Sequence, residues 1–128
     1  MFLMRDHSKL RAFELADEVA LLVYQATRTF PRDEQFGLVA QMRRAAVSIP
    51  SNIVEGCARQ TGADYLRFLD IAFGSFRELE YQLSLAHRLG YLKDDSFLPL
   101  ETKCTELSKV LSSLIRSLRA RGSKPLNP

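Results

Sequence analysis

Apolar residues return every three or four positions along almost the whole chain, and no segment shows the sustained twofold alternation of a half-buried strand. This regularity restricts the fold more than any motif does. A stripe of that period lies along one side of an α-helix, and a helix with one greasy side must cover it with others. Turn signals cut the pattern into four segments, which predicts an all-α, up-down-up-down four-helix bundle joined by short loops. A chain of 128 residues is long enough for one such domain and short for two, so residues 1–128 read as a single unit.

The segments follow from stripes and stops. Phe13, Ala16, Ala20, Val23, Thr27 and Phe30 predict a first helix over about 8–30, halted by Pro31, with Leu15, Val19, Leu22 and Ala26 as a second stripe beside the first. Asp33 and Glu34 suit the opening of a second helix over about 34–59, carrying Leu38, Met42, Ala45, Ala46, Ile49, Ile53 and Cys57. Thr61-Gly62-Ala63-Asp64 has the form of a capping box and opens a third helix over about 62–89. Gly90 stops it, with Tyr91 available for the accompanying apolar contact. The fourth helix runs over about 96–121, with Pro99 tolerable in its first turn and a heptad seam of Leu100, Cys104, Leu107, Leu111, Leu114 and Leu118; Gly122 and Pro125 leave 122–128 as a frayed tail.

The second helix contains an anomaly. Residues 43–56 read RRAAVSIPSNIVEG, placing Pro50 and the polar Ser48, Ser51, Asn52 and Glu55 among core positions. Proline cannot donate to the carbonyl of Ala46 and its ring crowds it. The helix either kinks and continues or breaks at Pro50; the apolar phase kept through Ile49, Ile53 and Cys57 favours the kink, with Ser48, Ser51 or Asn52 near enough to satisfy the freed carbonyl. Arg44, Ser48, Ser51, Glu55 and Arg59 share one face, and Glu55 can pair with Arg59. That face, with Pro50, Asn52 and Gly56, is either a register-fixing margin of the bundle or a contact surface for a partner or neighbouring subunit.

These residues also carry a resemblance. Phe36-Gly37-Leu38, RRAAVSIPSNIVEG and DYLRFLDIAFGSFRELEYQLSLAHRLGYL, together spanning roughly 30–92, resemble the four-helix bundle family named for proteins encoded by intervening sequences in bacterial 23S ribosomal RNA genes. The resemblance implies a left-handed bundle assembled as a homopentamer, without established enzymatic activity. A similar protein is the accessory factor of diversity-generating retroelements, which binds a reverse transcriptase and nucleic acid.

Charge gives a second pointer. The net is +3, and the acid-free stretch from Leu107 onward holds Lys109, Arg116, Arg119, Arg121 and Lys124, leaving 13 basic against 15 acidic residues elsewhere. Arg116, Arg119, Arg121 and Lys124 at one end, and Arg43, Arg44, Arg59 and Arg67 on the second and third helices, are therefore the candidate contacts to RNA or DNA phosphates. Leu15, Val19, Leu22, Leu66 and Phe73 lie outside the main seams and are the candidate contacts between copies of the chain. The competing expectation is an oligomeric scaffold that docks a protein such as a reverse transcriptase without touching nucleic acid.

Catalytic chemistry finds little support. A di-iron bundle needs Glu-x-x-His pairs, but Met4 and Ser84 stand three residues before His7 and His87. Cys57 and Cys104 are too few for a zinc site, and no phosphate loop or nucleophile elbow occurs. The expectation is a non-enzymatic protein without cofactor. Its longest apolar run, Val19–Tyr24, falls far short of the ~20 residues of a membrane span. The opening MFLMRDHSKL lacks the form of a secretory signal, which points to the cytoplasm.

Overall fold

A computed structural model describes residues 5–123, and Lys124, one of the candidate phosphate contacts, lies outside them. Four α-helices account for most of the described chain: α1 Arg11–Thr27, α2 Leu38–Cys57, α3 Gly62–Arg88 and α4 Asp94–Ser123. Short 3-10 turns at His7–Lys9 and Arg32–Glu34 precede α1 and α2. Among the described residues there is no strand, and no helix is long and apolar enough to cross a membrane.

Each helix packs on its chain neighbours, and α1 closes the square against α4. Paired contacts give the directions. Arg43 meets Thr27 while Arg44 meets Glu78; Arg11 meets Glu106 while Glu18 meets Lys103; Arg119 meets Asp70. Moving along α1 from Arg11 to Glu18, the partner on α4 moves back from Glu106 to Lys103. From Arg44 to Ser48 on α2, the partner on α3 moves back from Glu78 to Ser75. The end of α1 meets the start of α2, as the end of α4 meets the first half of α3, so adjacent helices run antiparallel. Side chains of all four helices fill the interior, including Leu15, Met42, Ile49, Phe76, Leu107 and Leu111, each essentially inaccessible.

Helix ends depart from the expected bounds for local reasons. Ser8 does not open α1, because Asp6 Oδ1 accepts both its backbone N–H at 3.1 Å and its hydroxyl at 2.6 Å, closing a separate 3-10 turn. At the other end α1 stops at Thr27, whose hydroxyl donates back to the Val23 carbonyl at 2.8 Å; Phe30 is still buried, against Tyr91. Glu34 does not begin α2. It sits in the 3-10 turn and its Oε1 accepts the Leu38 N–H at 3.2 Å, so it caps the helix it was expected to start. Thr61 does cap α3, accepting the Asp64 N–H at 3.1 Å. Gly90, at φ +81°, closes that helix in the left-handed conformation. α4 begins two residues early, with Asp94 and Asp95 in its first turn, so Pro99 falls in the second.

α2 runs unbroken through Pro50. Asn52 Nδ2 donates to the Ser48 carbonyl at 2.8 Å and the Ser48 hydroxyl at 3.0 Å, rather than to the Ala46 carbonyl that Pro50 leaves free. Ser48 in turn bonds Ser75 of α3 at 2.8 Å, and Arg44 reaches Glu78 one turn further along. These bonds fix the α2–α3 register. The two helices approach closely at Gly56, where a Cβ would lie 3.0 Å from Phe68 Cβ and 3.2 Å from Tyr65 Cδ1. Glycine is therefore required there by packing, at ordinary helical φ.

Candidate nucleic-acid interface

The ends of α2 and α4, the start of α3 and the segment leading into the first 3-10 turn meet at one pole of the bundle. Arginines gather there. Arg5 donates its backbone N–H to the Cys57 carbonyl at 3.3 Å and a guanidinium N–H to the Arg59 carbonyl at 2.9 Å, and its cationic plane lies 4.2 Å over the Tyr65 ring. Arg59 and Arg67 both lie on the Phe68 ring, at 4.6 and 4.7 Å from its centroid. Arg119 is held by Asp70 at 2.7 Å, and Arg116 and Arg121 project into solvent from the last turns of α4.

Between α3 and α4 at this pole runs a groove of about 770 Å³, with Ala63, Leu66 and Leu118 on its sides and Arg5, Arg119 and Arg121 at its rim. No carboxylate lines it. Such an arrangement concentrates positive potential beside an apolar surface. Stacking on Tyr65 and Phe68 restrains three of the arginines without neutralising them, because a ring quadrupole attracts a cation but carries no net charge. Only Arg67 and Arg119 have carboxylate partners here, both on exposed side chains where an ion pair is weak and exchangeable.

Beneath the arginines, Tyr65 and Cys57 are buried. Burial pushes the Tyr65 phenol up to about 12, with the neighbouring Cys57 adding to the effect, and burial raises the Cys57 thiol as well. Both stay neutral at physiological pH, so the positive field of the pole is not offset from below. Cys104, on the α4 seam, is likewise pushed up to about 12 by burial.

Not every candidate arginine belongs to this pole. Arg43 and Arg44 lie about four turns back along α2, on the order of 20 Å from Arg59. Arg43 is a clamp: its Nε donates to Thr27 Oγ1 at 2.9 Å, another N–H reaches the Tyr24 carbonyl at 3.3 Å, and its plane covers the Tyr24 ring at 4.5 Å. Arg44 is engaged by Gln41 and Glu78. Arg43 acts within the fold, and Arg44, in an exposed ion pair like that of Arg119, lies away from the pole.

The apolar candidates also divide. Leu15 and Val19 are fully buried inside the single subunit, and Leu22, Leu66 and Phe73 pack half-buried against the same core. Surplus stripes on α1 therefore cover its two neighbours, α2 and α4, and Leu15 and Val19 are not available to another copy. Along the polar face of α2, Glu55 and Ser51 are exposed, while Arg59 donates to the Glu55 backbone carbonyl at 3.2 Å instead of pairing with its carboxylate. Two residues escaped the sequence reading. Arg5 gives no periodic signal and is placed at the pole only by its bonds to the end of α2. Phe36, at 89% the most exposed large apolar side chain among the described residues, projects from the α1–α2 connection at the opposite pole.

Comparison with known proteins places the chain among relatives. The family model described as 23S rRNA-intervening sequence protein matches residues 8–113. A crystal structure of a protein of unknown function from the S23 ribosomal protein family of Bacteroides thetaiotaomicron superposes with a TM-score of 0.73 at 28% identity, over 82% of this chain and 95% of that one. No curated protein sequence matches.

Proposed function

The chain belongs to the family of 23S rRNA-intervening sequence proteins, and we propose that it is a non-enzymatic, self-associating helical bundle that binds RNA or DNA through the arginine pole. The single observation that carries this reading is the convergence of Arg5, Arg59, Arg67, Arg116, Arg119 and Arg121 on one end of the molecule, where Arg5, Arg119 and Arg121 line a groove that no carboxylate lines. Contacts of this kind address phosphates and shape rather than base identity. Association into a closed ring, the homopentamer that the family resemblance implies, repeats the pole in every subunit and multiplies a net charge of +3 into a strong local field. The cytoplasm is the setting in which such a protein meets ribosomal or other structured RNA.

Fluorescence anisotropy of labelled RNA and DNA against rising salt tests the reading. Six phosphate contacts per subunit correspond to a slope of log K on log salt of roughly −4 for a single strand to −5.5 for duplex DNA. Arg121→Gln should lower the steepness by about one. Absence of binding at about 50 mM salt would refute the proposal.

A second reading rests on Phe36. A phenyl ring held in the open by a loop that Glu34 and Tyr91 tie down is suited to anchor a protein partner or another copy of the chain. Recovery of a defined protein and no nucleic acid on purification from the native host would favour this scaffold role. An RNA cargo would favour the first.

A further inference from the structure

We infer that the groove between the start of α3 and the end of α4 receives an unpaired nucleotide of a single strand, its base against Leu66 and Leu118 and its phosphates against Arg5, Arg119 and Arg121. The inference rests on the nucleic-acid reading above and names the substrate class for that same site. Phosphate contacts alone do not need an apolar floor; rim arginines on a polar surface would hold a duplex equally well. Here Leu66 and Leu118 are only half-buried by the core, and with Ala63 they leave an apolar channel open under the arginine rim. Its volume of about 770 Å³ lies within the range of pockets that enclose small organic molecules.

A duplex presents charged backbone outward and keeps its base faces stacked inside, so it has nothing to place in that channel. An unpaired nucleotide offers an anionic phosphate joined to a flat, weakly hydrated base, which matches a cationic rim over an apolar floor. The rim is also partly preorganised. Tyr65 and the Arg59 carbonyl fix Arg5, so little of its side-chain freedom is lost when a strand arrives, while Arg119 exchanges its exposed Asp70 partner for a phosphate.

The test compares a labelled single-stranded RNA of about 12 nucleotides with a duplex of the same length, against the full chain at one salt concentration. Wild type should bind the single strand about tenfold more tightly. Leu118→Ser keeps the charge and removes apolar floor; it should weaken the single strand about fivefold and leave both the duplex affinity and the salt slope unchanged. The wild-type comparison needs no variant, so a folding defect in Leu118→Ser would not shield the inference. Equal affinity for single strand and duplex overturns it while leaving the nucleic-acid function standing; no binding to either removes both. If Leu118→Ser spares RNA binding but lowers the mass seen by light scattering, the groove is a contact between copies and the inference is wrong.

Discussion

Two glycines of this bundle should answer the same substitution with opposite signs. Gly56 on α2 and Gly74 on α3 are both helical, and replacing either with alanine recovers about 1 kcal/mol of helix propensity. A Cβ at Gly74 meets nothing within 4 Å, so Gly74→Ala should stabilise by about that amount. At Gly56 the new carbon would stand 3.0 Å from Phe68 Cβ, 3.2 Å from Tyr65 Cδ1 and 3.4 Å from the Tyr65 carbonyl oxygen. Phe68 Cβ is fixed to the α3 backbone and cannot rotate away, so the two helices must part by a few tenths of an ångström. Overpacking of this kind costs about 1–3 kcal/mol, which outweighs the propensity gain and leaves Gly56→Ala destabilised by about 1 kcal/mol. Subtracting one variant from the other cancels propensity and isolates the packing cost. At about 2.1 cal/mol/K of unfolding entropy per residue, each kcal/mol moves Tm by about 4 °C, so the two midpoints should lie about 4–11 °C apart. Thermal melts at matched protein concentration, followed by circular dichroism, measure this. Coincident midpoints would refute the close approach of α2 and α3 at Gly56.

Other substitutions probe polar groups. Gln82 is buried with its Oε1 unpartnered while its amide donates to Glu78, so Gln82→Met should stabilise by about 0.5–1 kcal/mol in urea titration; a loss of similar size would mean that the oxygen has a partner. Tyr65 releases its proton more easily unfolded than folded, so the stability it protects is complete below about pH 10 and lost as pH rises towards about 12. Allowing for water near the phenol, the loss is about 1–2 kcal/mol, and Tyr65→Phe should abolish that part of the alkaline decline in the urea midpoint. Arg43→Gln should lower stability by about 1–2 kcal/mol and leave RNA affinity unchanged, whereas Arg121→Gln should weaken binding with stability within about 0.5 kcal/mol. If both arginines behave alike in paired melts and anisotropy titrations, the division between clamp and pole is mistaken.

The helices were legible because burial imposes a period, and periods survive in sequence. Helix ends were legible where they depend on local backbone chemistry: the stop at Gly90 in the left-handed region and the start at the Thr61 cap follow from residue type and neighbours alone. Starts were misplaced where a side chain chose between two local partners. Glu34 has the composition of a first-turn residue but uses its carboxylate to accept the Leu38 N–H, and Asp6 takes Ser8 into a turn of its own. Nor could the sequence apportion the two stripes on α1. It showed more apolar surface than one neighbour could cover, and the structure places a helix on each side, burying Leu15 and Val19 within one subunit.

The arginines make the same point about the site. Arg43 lies on α2 and Arg59 two residues beyond its end, and both lie over an aromatic ring. What separates them is the surrounding set of acceptors. Arg43 finds the Thr27 hydroxyl and the Tyr24 carbonyl on another helix, so its N–H groups are spent on joining α1 to α2. Arg59 uses its Nε on the Glu55 carbonyl of α2 and rests on Phe68, and its remaining N–H groups have no hydrogen-bond acceptor among the described residues. A positive residue becomes a ligand-binding residue when the fold supports its stem and leaves its donors unfilled. Both conditions are three-dimensional, so charge counting along the chain names Arg43, Arg44, Arg59 and Arg67 together, whereas the structure ties Arg43 to α1 and Arg44 to α3, far from Arg59.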